Sequence, residues 1–385
     1  MSKPRLGIIG IGGMGYGHAK RVLDGTLTEF DLTAVADINP ARLDVAKEDF
    51  EGIATFTDGI ELLDSGLVDA VIIATPHYFH PPYSVAAMKR GIHVMCEKPA
   101  GVYTKQVLEM NEVAKDCDVV FGMMFNQRTK PMYIKMRDII KSGKYGEIKR
   151  VNWIITTWFR SQAYYDSGDW RATWSGEGGG VLLNQCPHQL DLLQWICGMP
   201  CKVLSKLHYG KWHDIEVEDD VTTYMEYPNG ATGVFITTTG DAHGTNRFEV
   251  MLDGAKLIAE GDKLEVIEFE VGTNEFLNTS QHGFALMPSK NIEVDTSHEG
   301  PIEHLAVLKA WAAKIAGTGE LVAQGIEGIN GLSLSNAMHL SSFLNKEVEL
   351  PIDPDLYYEE LMKKVATSRR KDPAGNKSMD FNNTY

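Results

Sequence analysis

The chain has 385 residues, of which 43% are hydrophobic and 23% charged, and a formal net charge of −15. This length predicts two domains with apolar residues enough for a sizeable core, while the acidic balance disfavours nucleic-acid backbones and anionic membrane surfaces as partners. No run of about 18 apolar residues suggests a membrane span, and five cysteines without a CxxC pair predict reduced thiols, no metal site and a cytoplasmic setting.

In chain order, residues 5–10 (RLGIIG) read as a strand ending in glycine, and residues 16–24 as a helix. Residues 31–37 are strand-like and end in an acid, and Pro40 opens a helix, since proline is tolerated in a first turn. Residues 69–74 (DAVIIA) form the continuous apolar run of a doubly covered strand. A helical stretch ends at Arg90, and strands 92–96 and 119–124 flank a helix at 104–116. This alternation predicts βαβ units on a parallel sheet, and it fades near residue 125.

Further strand-like segments follow at 150–159, 203–209, 221–227, 231–239, 247–252 and 256–260, many rich in β-branched and aromatic residues. Asn229-Gly230 marks a hairpin, and helical stretches fall near 186–197 and 302–316. The predicted class is α/β: an N-terminal Rossmann doubly wound parallel sheet over 1–125, an α+β domain with a mostly antiparallel sheet over 126–366, and a polar tail over 367–385.

Residues 10–15 read Gly-Ile-Gly-Gly-Met-Gly. Gly10 permits the turn out of the strand, Gly12 lets backbone approach a pyrophosphate, and Gly15 lets the helix pack on the strand. Gly13 and Met14 complete the turn, whose helix N-terminus offers free N–H groups to phosphate. Asp37, twenty-two residues past Gly15, ends the next strand, where a carboxylate bonds ribose hydroxyls and repels a 2′-phosphate. NAD is therefore favoured over NADP, with Arg42 nearby as the feature that speaks for NADP.

Lys98 follows the strand His93–Cys96 and Glu97, and precedes Pro99. The ends of parallel strands face the ligand crevice, so this lysine can hydrogen-bond a substrate hydroxyl; the competing reading is a solvated surface lysine. In GEGGGVLLNQCPHQLD (residues 176–191), His188 is the leading general acid/base. If the stretch is helical, Asn184, His188 and Asp191 share a face. Asn184 then orients substrate or imidazole, and Asp191 fixes the histidine tautomer or braces the helix. The bland reading of His188 is a satisfied core histidine. Trp158, Arg160, Tyr164, Tyr165, Trp170, Arg171 and Trp174 form an aromatic run that suits either sugar stacking or a domain interface. His77 and His80 lack a third ligand, which favours groove lining over metal. Glu218-Asp219-Asp220, a charge run beside a strand, reads as a solvated face or a sheet edge, and His208, His213 and His243 stay unassigned.

Together, IIGIGGMG, the strand ending in Asp37, ATPHYFHPPYSVAAMKRGIHVMCEKP and GGGVLLNQCPHQLD resemble the Gfo/Idh/MocA family of oxidoreductases. The resemblance implies a Rossmann domain followed by a large open sheet, assembly as a homodimer or homotetramer, and a sugar or cyclitol substrate. It implies Lys98 at the reacting hydroxyl and His188 as proton acceptor. It places Ala74, Thr75, Pro76, His77 and His80 along the cofactor groove and Glu97 and Asn126 beside ribose and nicotinamide. Arg128, Trp170 and Arg171 fall near nicotinamide or substrate. Many family dehydrogenases carry aspartate four residues before the histidine, where this chain has Asn184. The expected activity is NAD-dependent oxidation of a secondary hydroxyl, the 3-position of a glycoside being one version. The alternatives are a glycoside hydrolase using transient oxidation and a non-catalytic sugar or NAD sensor.

Overall fold

The computed structural model describes residues 3–369; most of the polar tail lies outside the described residues. Two sheets organise the molecule. The first holds six parallel strands: β1 (Arg5–Ile9), β2 (Asp31–Ala36), β3 (Ala54–Phe56), β4 (Ala70–Ile73), β5 (His93–Cys96) and β6 (Phe121–Met123). Their order, β3-β2-β1-β4-β5-β6, is doubly wound, and the crevice lies at the reversal beside β1. Ala70, Val71, Ile72 and Ile73 are all fully buried, as a strand covered on both faces requires.

The second sheet has nine strands. They are β7 (Ile148–Ile155), β8 (Lys202–Tyr209), β9 (Glu218–Glu226), β10 (Thr232–Thr238), β11 (Asn246–Leu252), β12 (Ala255–Glu260), β13 (Lys263–Phe269), β14 (Ser289–Val294) and β15 (Val348–Glu349). The order is β14-β13-β12-β11-β7-β10-β9-β8-β15, antiparallel except for the β7–β10 pair. One row across it, Val203-Met225-Gly233-Val151-Val250-Leu257-Val266, is buried throughout. Trp153 stacks on Phe248 with ring centroids 4.2 Å apart, adding to the same inner face. The neighbouring row, Leu204-Tyr224-Val234-Asn152-Glu249-Ile258, points to the other side.

Helix Gly328–Leu344 lies on the β8 end of the sheet and helix Pro131–Lys141 on β12 and β13, its Tyr133 6.1 Å from Trp153 on the inner face, while helix Pro187–Cys197 packs against both helices. The helix Glu303–Ile315 lies elsewhere: Val307, Leu308 and Trp311 pack with Leu6, Ile8, Leu27 and Phe30 in the core of the parallel-sheet lobe. Met123 N donates to Ala323 O at 3.2 Å, so the returning chain also extends the β6 edge. The division at residue 125 read from the sequence thus leaves out a helix that the N-terminal lobe needs.

Two sequence expectations are corrected here. Glu218 and Asp219 are fully buried, not a solvated run. Asp219 accepts from the backbone N–H groups of Lys211, Trp212 and His213, and Glu218 from those of Gly180 and Leu182. Strand β7 stops at Ile155, and residues 156–159 leave the sheet. Among the described residues, no helix is long and apolar enough to cross a membrane.

Candidate active site

The glycine turn leaves β1 at Gly10, whose φ of 91° lies in the left-handed region. A Cβ there would lie 2.6 Å from the Ala74 carbonyl oxygen, and one on Gly15 would collide with the Gly10 carbonyl. Gly12 differs: its nearest obstacle is the Arg42 guanidinium at 3.7 Å. The helix Gly13–Leu23 starts without a side-chain cap or an acid in its first turn, which suits its N-terminal N–H groups, those of Gly13 and Gly15 among them, to an anion. Asp37 ends β2 with its carboxylate fixed by Ile11 N (3.0 Å), Asn39 N (2.8 Å) and Arg42 Nη1 (3.3 Å).

Past β4, Ala74 and Thr75 border this turn, and the buried Thr75 hydroxyl has no partner. His80 bridges two strand ends, with Nε2 2.7 Å from Thr75 O and Nδ1 2.6 Å from Pro99 O. His77, beyond Pro76, places Nδ1 3.3 Å from Glu177 O, and its ring meets His80 and Trp170 edge-on. Both histidines are bound to protein carbonyls, as groove-lining scaffolding would be. Among the described residues no group of three or more metal-ligating side chains converges.

Past β5, the buried Glu97 bonds His18 Nε2 at 2.8 Å. Burial pushes the Glu97 pKa up, but the His18 bond and the charges of His18, His304 and Lys98 outweigh it and hold it at about 2. Lys98, half-buried and joined to Pro99 by a cis bond, donates from Nζ to Asn184 O at 3.1 Å. Burial lowers its pKa, partly offset by the carboxylates of Glu97 and Glu177. The solvated-lysine reading is thereby replaced. Past β6, Asn126 is buried with its Nδ2 beside His304 and its Oδ1 unpartnered.

Helix Pro187–Cys197 begins with proline in its first turn, so His188 is helical and Asn184 is not. Their shared helical face is therefore not formed; Asn184 sits in the preceding turn, its N–H on Gly180 O. His188 is 3% exposed, and its Nδ1 has no partner. Burial first, and then the Lys98 charge, hold its pKa well below 6.5, so the imidazole is neutral at pH 7. Asp191 braces rather than orients: it takes both a 2.7 Å bond from Arg128 Nε and one from Nη2. Arg128 Nη1 bonds Glu327 at 2.7 Å, which commits every nitrogen of this guanidinium to the protein. Arg128, expected near nicotinamide or substrate, is held in a buried ion pair with Asp191 and Glu327.

The aromatic run divides. Tyr165 and Trp174 are buried in the core, whereas Trp158, Arg160, Tyr164, Trp170 and Arg171 are only half-buried. Arg171 lies over both Tyr164 (4.7 Å) and Trp170 (4.6 Å), and Arg160 over Tyr164 (5.1 Å). Tyr164 OH is 3.4 Å from Asn184 Oδ1, tying this patch to the Lys98 anchor. Arg160 is held by backbone, its O bonded to His213 Nε2 at 2.9 Å. Sequence reading missed His18, Glu177 and His304. Glu177 stood in the quoted glycine stretch, but no spacing rule marks a glutamate before three glycines as buried.

Residues 4–125 match the family model described as the oxidoreductase family, NAD-binding Rossmann fold, and residues 133–258 match the GFO/IDH/MocA C-terminal domain. The chain belongs to the Gfo/Idh/MocA family. The rhizopine catabolism protein MocA of Rhizobium meliloti is 31% identical over 51% of this chain and 58% of its own length. The inositol 2-dehydrogenase of Corynebacterium glutamicum is 27% identical over 60% of this chain and 66% of its own. The chain thus aligns with less than two thirds of the length of either. The WlbA dehydrogenase of Chromobacterium violaceum, solved with NADH and UDP-GlcNAcA, superposes with a TM-score of 0.78 at 25% identity, covering 91% of this chain and 97% of that one. The N-terminal lobe is the family's NAD-binding fold, and the open glycine turn, the unpartnered Thr75 and Asn126 oxygens and the fixed Asp37 carboxylate fit that cofactor.

Proposed function

We propose that this chain oxidises a secondary hydroxyl of a sugar, glycoside or cyclitol to a ketone, with NAD as acceptor. The observation that carries the reading is His188: a buried, neutral imidazole with an unpartnered Nδ1, near enough for the Lys98 charge to act on it, with Lys98 itself following the end of β5. Gly12, Gly13, Met14 and Gly15 would hold the pyrophosphate, Asp37 the adenosine ribose, and Thr75, Glu97 and Asn126 the nicotinamide end. When bound, NAD supplies the acceptor for the hydride that leaves the carbinol carbon.

The protein's part is positional and electrostatic. The Lys98 ammonium donates to the substrate oxygen and favours its charge as the O–H proton leaves. His188 takes that proton, which a neutral imidazole can do and an imidazolium cannot. Tyr164, Trp170, Arg160 and Arg171 offer aromatic faces and donors suited to a polyhydroxylated ring. Similarity to a cyclitol dehydrogenase and to a sugar-nucleotide dehydrogenase supports that class.

The test is absorbance at 340 nm with purified protein, NAD or NADP, and a panel of inositols, free sugars and glycosides. Reduced NAD accumulating with one class supports the reading and names the substrate. Glycoside cleavage without reduced cofactor would replace it with the hydrolase, and binding without turnover with the sensor.

A further inference from the structure

We propose that Glu177 is the positioning carboxylate of this site, acting through Asn184, and that the two residues are a matched pair. The inference rests on the alcohol-oxidising reading above. Glu177 is 2% exposed. One of its oxygens accepts from Ala172 N at 2.6 Å, fixing a non-glycine residue at a φ of 56°. The other accepts from Asn184 Nδ2, and Arg171 Nη1 stands 3.9 Å from it.

A carboxylate only accepts, so Glu177 dictates which end of the Asn184 amide faces it. Asn184 Oδ1 must then point to Tyr164 OH, which donates to it and accepts from Arg171 Nη1 (3.0 Å) and Gln185 Nε2 (3.3 Å). One buried carboxylate thereby sets the donor direction of the whole string. The same asparagine presents its backbone oxygen to Lys98 Nζ. Glu177 thus fixes the residue that aims the lysine and supplies negative charge between Lys98 and Arg171.

The pairing explains the neutral residue at 184. An aspartate there would meet Glu177 acceptor to acceptor, and two carboxylates in contact cannot both ionise at neutral pH. Exchange of the two groups, however, keeps one donor and one acceptor. N184D sets acceptor against acceptor, and E177Q removes the charge and lets the Asn184 amide turn round, which reverses the string; E177Q/N184D restores its direction with donor and acceptor exchanged.

The experiment compares the four proteins by kcat against pH, on the best substrate of the panel, and by melting temperature against pH. E177Q is expected to lose about tenfold or more in kcat with NADH binding, read by fluorescence, unchanged. N184D is expected to lose activity at neutral pH, and its melting temperature to fall as pH rises from about 4 to about 7, where both acids ionise in the unfolded chain but the folded pair still holds a proton. The double variant is expected to recover most of both. Losses that simply multiply in the double variant, or E177Q with a wild-type profile, overturn the proposal. Should E177Q not fold, N184D alone decides: a pH-independent change in melting temperature overturns the pairing. If the wild-type protein turns over nothing in the panel, the alcohol-oxidising reading fails, while the melting cycle still tests the Glu177–Asn184 pair.

Discussion

At the scale of single residues, the site depends on polar atoms whose partners are few and well placed. His188 accepts a proton only while neutral, and burial holds its pKa well below 6.5. The rate of oxidation should therefore rise with pH through an acid limb lying below 6.5 and be flat, as far as His188 is concerned, above it. His188→Asn should cut kcat by about 10²–10⁴ while NADH fluorescence titration shows binding retained. The glycines separate similarly. Gly12→Ala meets only the Arg42 guanidinium at 3.7 Å, so it should leave the melting temperature near wild type and weaken NADH binding about tenfold. Gly15→Ala drives a methyl into the Gly10 carbonyl and should cost roughly 1–3 kcal/mol of stability, read by denaturant unfolding. The glycines, Asp37, Lys98 and His188 were legible because a turn, a strand end or a proline dictates their surroundings locally. Glu177, Glu218 and Asp219 were not. Their burial depends on backbone donors brought from distant loops, and a run of acids carries no local mark of that.

At the scale of elements, the glycine loop that leads to His188 is fastened from behind. Glu218, on β9, receives Gly180 N at 2.8 Å and Leu182 N at 2.9 Å, and His339 Nε2 at 3.0 Å from the helix Gly328–Leu344. His339 Nδ1 also donates to Ser335 O, so both ring nitrogens carry hydrogen when the ring is charged. Burial opposes that charge, but the Glu218 charge and bond prevail and raise the His339 pKa. A raised histidine stabilises fully below its unfolded value of about 6.5, and the contribution is lost as pH rises through the folded pKa. His339→Leu leaves Glu218 without its cation and should cost about 3 kcal/mol in melts below pH 6.5, the gap narrowing at higher pH. That helix was itself hard to read in the sequence. GINGLSLSNAMHLSSFL mixes glycine, serine and asparagine, which are modest helix formers, and is buried on most sides, which erases the amphipathic period. Five of the six parallel strands, in contrast, were legible, β4 as an unbroken apolar run, while the three-residue β3 was not.

At the scale of the whole molecule, the nine-stranded sheet has one packed face and one open. Ile154 (37% exposed), Leu204 (41%) and Tyr224 (38%) stand on the open side. Burying such a face against a second copy is expected to give a homodimer or homotetramer, which size-exclusion chromatography with light scattering would read directly. A charge introduced at Leu204 and Tyr224 together should shift that protein toward monomer. The antiparallel character of this sheet was legible from its strands; β14 was not, because its polar, exposed residues give no clear inner face, and β13 was passed over although Leu264 and Val266 alternate onto the buried side.

The helix Glu303–Ile315 has a further consequence, for synthesis on the ribosome. Trp311 is fully buried and packs tilted against Phe30 with ring centroids 5.0 Å apart, while the strands it covers are finished by residue 123. At about 5–20 residues per second, the nascent nucleotide-binding lobe waits roughly ten to forty seconds for its last wall. Until then Leu27, Phe30 and the side of β1 they share lack the part of their cover that Val307, Leu308 and Trp311 supply, and a chaperone would find its binding surface there.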